Sequence, residues 1–266
     1  MTTELKAEFM KKLITLLAFF PALAMGQINL SAYCTDASGV PDSTACFNAA
    51  VSDVCSSPIT RTLIVSVGKY RFASAPAAPT CAANFVGEGP AASFLIKDYS
   101  GGGFYFLKRV QNSVDTYGGG SIRDLAIWAG VNSHDGIAIW VLATPDVGGI
   151  SFTTKNPHGL LIDNIQIGAD VGGGTFGYGI YLDGSQNNGP GALGIRSVMI
   201  RGSRINLVTY ADIYLYHAKG TQISNTECYG NASYRLVIDG ASEGTIIVSR
   251  TCAPTIINGI ETYKWP

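Results

Sequence analysis

The chain has 266 residues, a net charge of −1 and only 14% charged residues. That balance excludes a nucleic-acid binder built on a basic stripe, because nothing is present to neutralise a run of phosphates. Thirty-two glycines among many β-branched residues favour short strands broken by tight turns over long helices.

Residues 1–26 form a segment of their own. Met10-Lys11-Lys12 precedes an apolar run from Leu13 to Ala24, with small residues before Gln27. This is the anatomy of a secretory signal peptide, read with Met10 as its start, and the run is too short for a stable membrane span. An amphipathic anchoring helix over Thr3–Phe20 is the alternative. The remainder, 27–266, reads as one domain, a cap over 27–84 followed by repeated coils over 85–266. All six cysteines fall within it: Cys34, Cys46, Cys55, Cys81, Cys228 and Cys252. An even count outside the leader-like segment fits disulfides formed in an oxidising compartment, with local pairing of Cys34 with Cys46 and Cys55 with Cys81 expected. Their spacing holds no zinc pattern, and no metal or cofactor is expected.

Two motifs lie in the cap and a third opens the coils. Gly39-Val-Pro-Asp42-Ser43-Thr44-Ala45-Cys46-Phe47-Asn48-Ala49-Ala50 starts a helix that Asp42 or Ser43 is suited to cap. Thr62-Leu-Ile-Val-Ser-Val67-Gly68-Lys-Tyr70-Arg-Phe72 reads as strand, and Phe85-Val-Gly87-Glu-Gly89 as a strand running into a glycine turn. Past residue 120 two kinds of strand alternate. One reads Ile122–Ile127, Ile162–Ile167, Ile195–Ile200, Ile223–Cys228 and Ile247–Cys252; the other reads Ile137–Trp140, Ile180–Asp183, Ile213–Tyr216 and Leu236–Asp239. The ends of the first kind recur at 127, 167, 200, 228 and 252, so the spacing shrinks toward the C-terminus.

Gly220-Thr221-Gln-Ile223-Ser-Asn-Thr-Glu-Cys228 and Gly244-Thr245-Ile-Ile247-Val-Ser-Arg-Thr-Cys252 are near-copies offset by 24 residues. A fixed period in this range marks a solenoid, whose repeats bury their apolar faces by stacking. The expected fold is all-β: a right-handed, single-stranded parallel β-helix with a short N-terminal strand–helix cap. An antiparallel sandwich also explains short strands, but not the repeated segment ending in Cys. Handedness follows from the general rule for parallel crossovers. Cys228 and Cys252 then stack about 4.8 Å apart, close enough for a disulfide or for an unbonded pair of buried thiols.

The three motifs over 29–96 resemble the opening of the pectate-lyase-like right-handed β-helix superfamily, in the branch that includes phage tailspikes and tail fibres. Ser43 stands where a second Asp is usual, and Val67 where Pro is usual. The resemblance implies a homotrimer attached to other virion tail proteins, outside the cell, that recognises bacterial surface polysaccharide. An exported polysaccharide lyase or glycoside hydrolase, secreted or periplasmic, is the second expectation, and a purely structural virion part the third. The Trp-Ile-Asp-His and Arg-x-Pro-x-x-Arg motifs of pectate lyases are absent, as is the Asn-Thr-Asp, Asp-Asp and Gly-His-Gly set of polygalacturonases.

Period-2 alternation places Ala138, Tyr181, Tyr214 and Val237 in one outward column, and Trp140, Asp183, Tyr216 and Asp239 in the next. Aromatic rings beside carboxylates suit a sugar chain, since rings stack on apolar sugar faces and carboxylates accept from hydroxyls. Trp140, Tyr181, Tyr214 and Tyr216 are therefore the glycan-binding candidates; packing against loops or another subunit is the alternative. Asp183 and Asp239, two coils or about 9.6 Å apart, are candidate acid and base for glycoside cleavage. Each also precedes a glycine and suits a turn on that ground alone. Arg196, Arg201 and Arg204 with Asp163 and Asp170 form a second, lyase-type candidate or a set of solvated charges. His134, His158 and His217 share no metal-binding spacing, and each is expected in a turn. The loops 142–157, 168–178 and 184–193 are expected to wall a groove over the aromatic columns.

Overall fold

Short strands wind around one axis, each pairing in parallel with the strand one coil before and one coil after. The computed structural model describes residues 26–56, 61–79, 81–108, 120–142, 159–184, 195–240, 242–256 and 262–264. The largest sheet begins with Gln27–Asn29, Thr62–Val65 and Asn84–Gly87. It continues through Ser121–Ala129, Leu161–Ala169, Met199–Arg201, Gln222–Ser224 and Thr245–Val248 to Thr262–Lys264. The second halves of Ser121–Ala129 and Leu161–Ala169 leave this path. They join Ser93–Lys97 on one side and Arg204–Ile205 on the other, so the sheet has two faces meeting at a bend. A second sheet stacks Gly103–Lys108, Gly136–Leu142, Phe176–Asp183, Val208–Tyr216, Tyr234–Asp239 and Pro254–Ile256. Ile195–Arg196 and Ala218–Lys219 make a third, two-stranded sheet. This is a parallel β-helix, wound right-handed as parallel crossovers are.

Its core is a set of aliphatic columns. Ile122, Ile162, Ile200, Ile223 and Ile247 lie in register across successive coils, each with no exposed surface. Ile139, Ile180, Ile213 and Leu236 form the matching column of the second sheet. Each such side chain is worth roughly 1.5–3 kcal/mol of burial, available only because the next coil covers it.

The corners explain much of the remaining sequence. Asp124 (φ 58), Asn164 (φ 50), Gly202 (φ 57) and Asn225 (φ 46) occupy one corner in successive coils. Left-handed backbone is tolerated best by Gly, Asn and Asp, and here the Asn164 Nδ2 also donates to Asp124 Oδ1 at 2.8 Å. Ser197, Gly220 and Gly244 repeat the device at another corner, with φ of 53, 64 and 64. The repeated glycine of the 24-residue copy is therefore a corner residue.

The N-terminal end is closed by the helix Thr44–Ser56. Asp42 Oδ1 accepts from the Thr44 and Ala73 amides, both at 3.0 Å, which ties the helix start to the neighbouring strand end. Phe47 meets Phe72 edge-on at 5.1 Å and stacks on Phe85 at 6.1 Å, sealing the first coils. Disulfides join Cys34 to Cys46 and Cys55 to Cys81, as local pairing predicts. Cys228 and Cys252 are also bonded, with Cα atoms 5.0 Å apart.

Two registers differ from the expectation. Ile195–Ile200 is not one strand of the first kind: Ile195–Arg196 belongs to the third sheet, and Ile200 opens the strand of its coil. Ile205, not Ile200, stands between Ile167 and Cys228. The coil steps along this column are therefore 40, then 38, 23 and 24 residues, judged from neighbouring cross-coil pairs. Trp140 is likewise displaced. It pairs with Tyr181, while Val141 and Leu142 pair with Leu182 and Asp183, because the strand runs on to Leu142. Ala138 is fully buried and lies outside the Tyr181 column.

Candidate functional site

The observed register gathers three of the four aromatic candidates, Trp140, Tyr181 and Tyr214, into one column on the second sheet and leaves Tyr216 in the next. Tyr105, Trp140, Tyr181, Tyr214 and Val237 follow one another across five coils. The adjacent column holds Lys108, Leu142, Asp183, Tyr216 and Asp239. A parallel in-register sheet forces this result, since like positions stack about 4.8 Å apart.

Trp140 and Tyr181 lie with ring centroids 6.3 Å apart and planes 1° from parallel. Tyr214 meets Tyr181 at 5.0 Å and 73°. Tyr178 stacks on Tyr181 at 5.2 Å and also contacts Tyr210 at 5.0 Å; Tyr210 in turn meets Tyr234 at 5.4 Å. The face is thus a connected aromatic band broader than the four candidates named from sequence. Sequence reasoning missed Tyr178, Tyr210 and Tyr234 because they sit at the beginnings of strands, where a bulge between Phe176 and Tyr178 breaks the alternation. The Gly-Tyr178-Gly run was the available signal.

The carboxylates are bound into this band. The Trp140 Nε1–H donates to Asp183 Oδ2 at 3.3 Å, and the Tyr214 hydroxyl donates to Asp239 Oδ2 at 2.9 Å. Asp239 Oδ1 also accepts from the Gly240 amide at 2.6 Å. Burial pushes the Tyr181 and Tyr214 phenols well above their ordinary range, and the nearby charge of Asp239 pushes the same way. Both therefore stay protonated, and Tyr214 donates to Asp239. Asp183 is nearly buried at 6% exposure. His217 follows Tyr216 at a left-handed corner (φ 49), its ring 4.6 Å from that of Tyr216. Burial lowers its pKa against the opposing pull of Asp239.

The second candidate cluster is dispersed. Arg201 pairs with Asp163 at 2.8 Å, Arg204 with Glu227 at 2.8 Å, and Asp170 with Lys69 at 2.9 Å. These ion pairs join one coil to another along the large sheet, and Arg196 lies apart from them in the two-stranded sheet. Two polar clefts of about 470 and 310 Å³ run along that sheet's bend, both lined by Asn225 and Glu227. Among the described residues, no three His, Cys, Asp or Glu side chains converge as metal ligands would. No described helix is long and apolar enough to cross a membrane. Residues 1–25, His158 and nearly all of the loops 142–157 and 184–193 lie outside the described residues. Of the third loop, Gly168–Ala169 and Phe176–Tyr178 belong to strands, leaving a short turn.

No family model matches the chain, and no curated protein matches it in sequence. Among solved structures, the A-module of mannuronan C-5 epimerase AlgE6 from Azotobacter vinelandii is similar, with a TM-score of 0.61 at 13% identity over 89% of this chain and 57% of that one. The AlgE4 A-module from the same organism gives a TM-score of 0.53 at 16% identity, over 87% of this chain and 70% of its own. The chain thus spans little more than half of the first of these structures. Identity at this level speaks for architecture alone. The resemblance drawn from the opening motifs holds as one of fold: the chain is a parallel β-helix.

Proposed function

We propose that this protein binds polysaccharide through the outer face of its second sheet, as a tailspike- or tail-fibre-like receptor-binding protein working outside the cell. The observation that carries this reading is the parallel Trp140–Tyr181 pair continued by Tyr214, with Asp183 and Asp239 in the adjoining column. Rings in a row along the coil axis suit the apolar faces of successive sugars, and the carboxylates accept from sugar hydroxyls. Three disulfides fit an oxidising, extracellular setting. The similar fold of two proteins named for mannuronan, a polysaccharide, supports the same class of ligand. A homotrimer joined to tail proteins belongs to this reading, and light scattering tests it: a monomer mass counts against the tailspike role.

The direct test is electrophoresis through gels containing capsular, pectic or neutral polysaccharides. At least one should retard the wild-type chain, and the Tyr181→Ala/Tyr214→Ala double variant, its fold checked by circular dichroism, should run unretarded in it. Equal retardation of the two would refute the assigned face.

One observation favours a second reading, a secreted or periplasmic polysaccharide-cleaving enzyme. Asp183 and Asp239 sit two coils apart with Tyr216 between them, about 9.6 Å along the stack. Inverting glycosidases hold their two carboxyls about 6.5–9.5 Å apart, so the pair lies at the edge of that window. Release of reducing ends that Asp239→Asn abolishes would establish cleavage; uncut polymer after long incubation would exclude it.

A further inference from the structure

The strand Val208–Tyr216 carries another carboxyl group, at Asp212, that the face as described does not use. Asp212 has no exposed surface. Its Oδ2 lies 3.2 Å from Arg235 Nη1, whose side chain is 34% exposed, and its Oδ1 has no hydrogen-bond partner. A buried carboxylate with one oxygen unsatisfied is costly when charged, so such a site favours the proton. Burial pushes the Asp212 carboxyl up to about 7, against the opposing pull of Arg235.

Its surroundings are set by register. Gly179 stands opposite on one neighbouring strand, with Ala138 one coil further, and Arg235 stands opposite on the other. A Cβ at Gly179 would lie 2.5 Å from the Asp212 carbonyl oxygen, so the backbones are closely set there. Arg235 is thus the charged group that the paired strands bring to Asp212. The other titratable groups around it are phenols. Tyr210 and Tyr214 flank Asp212 in its own strand, Tyr178 precedes Gly179, and Tyr234 precedes Arg235. These four rings form one network, with Tyr178–Tyr214 at 5.5 Å and Tyr210–Tyr234 at 5.4 Å completing the contacts given above. Tyr178 and Tyr214 hold their protons above the ordinary tyrosine range, chiefly through burial.

We propose that Asp212 is a proton-operated latch on the tyrosine network. Protonated, it leaves the strands and rings packed. Ionised, it draws Arg235 and water between the strands and loosens the rings. Its effect on ligand affinity rests on the reading of this face as the polysaccharide site; the latch itself does not.

Near-UV circular dichroism of the tyrosines tests it on the full chain without ligand, from about pH 5 to pH 9. The signal should fall in one step centred near pH 7. Asp212→Asn should remove the step. Arg235→Gln should move it upward, because the guanidinium holds the carboxyl down. His217, whose pKa burial lowers from its ordinary value, is the control, and His217→Gln should leave the step in place. A flat wild-type signal, or a step surviving in Asp212→Asn, overturns the proposal. If Asp212→Asn does not fold, Arg235→Gln decides, and an unmoved midpoint counts against the latch. Gels containing polysaccharide at about pH 6 and pH 8 then read the consequence, with affinity about tenfold weaker at the higher pH. A tyrosine step in a chain that binds no polysaccharide at either pH sinks the binding reading and leaves the latch standing. Binding indifferent to pH beside an intact step overturns its regulatory role.

Discussion

Ile223→Ala measures how far the fold depends on coil stacking. Ile223 is fully buried and in register between Ile200 and Ile247. The substitution removes three carbons, worth about 2.4 kcal/mol in transfer energy at roughly 0.8 kcal/mol each. The space left between two coils that cannot close adds a cavity contribution, for a total of about 3–4 kcal/mol. For a chain of this size that corresponds to a drop in Tm of about 6–15 °C. Gln222, the preceding residue, is exposed on the opposite face of the strand, and Gln222→Ala should cost about 0.5 kcal/mol or less. Urea melts followed by far-UV circular dichroism give both values. Equal costs at the two positions would mean that the strand faces are wrongly assigned. A cost below about 1 kcal/mol at Ile223 would mean that the aliphatic column is not what holds the coils.

Other perturbations probe separate parts of the account. Replacing Cys228 and Cys252 together by Ala opens a loop with a sequence separation of 24 residues and should cost about 3 kcal/mol, read as a lower urea midpoint; no change would show that the bond adds nothing to a coil already stacked. Gly220→Ala places a side chain at φ +64 and should cost about 1 kcal/mol, whereas Gly220→Asn, of the residue type found at the Asn225 corner, should cost less. Asp212 binds its proton more tightly in the folded chain, since its pKa of about 7 exceeds the ordinary 3.8. Its contribution to stability is therefore whole below about pH 4 and is lost as pH rises to about 7, a slope of roughly 2–4 kcal/mol after allowing for water near Arg235. Asp212→Asn should flatten that slope in urea melts across the range, and an unchanged slope would contradict the assignment.

The solenoid was legible because a parallel in-register stack demands the same apolar spacing in every coil. Ile122, Leu125 and Ile127 match Ile162, Ile165 and Ile167 position for position. The misreading at Ile195–Ile200 has a physical cause. In the next coil Ser203 takes the middle inward position, its hydroxyl satisfied by the Arg201 carbonyl at 3.0 Å. A serine that bonds a nearby backbone carbonyl reads as a turn in sequence, which hides the strand that follows Ile200. Thr226 repeats the substitution with the Ser224 carbonyl at 3.1 Å. At the site, Asp183, Tyr214, Tyr216 and Asp239 were legible from alternation alone. Trp140 stands one column over from its expected place because the strand runs on through Val141 and Leu142. Tyr178 follows a bulge and Tyr234 opens its strand, so neither carries a periodic signal; Tyr210 and Asp212 do alternate with Tyr214 and Tyr216, but nothing in the sequence shows what covers Asp212.

Hydrogen–deuterium exchange with a polysaccharide that retards the protein tests the central claim most directly. The account predicts slowed exchange in Phe176–Asp183 and Val208–Tyr216 on binding, with the polar clefts along the bend of the large sheet, around Arg204, Glu227 and Arg250, unchanged. Protection confined to those clefts, with the tyrosine strands exchanging as before, would contradict it.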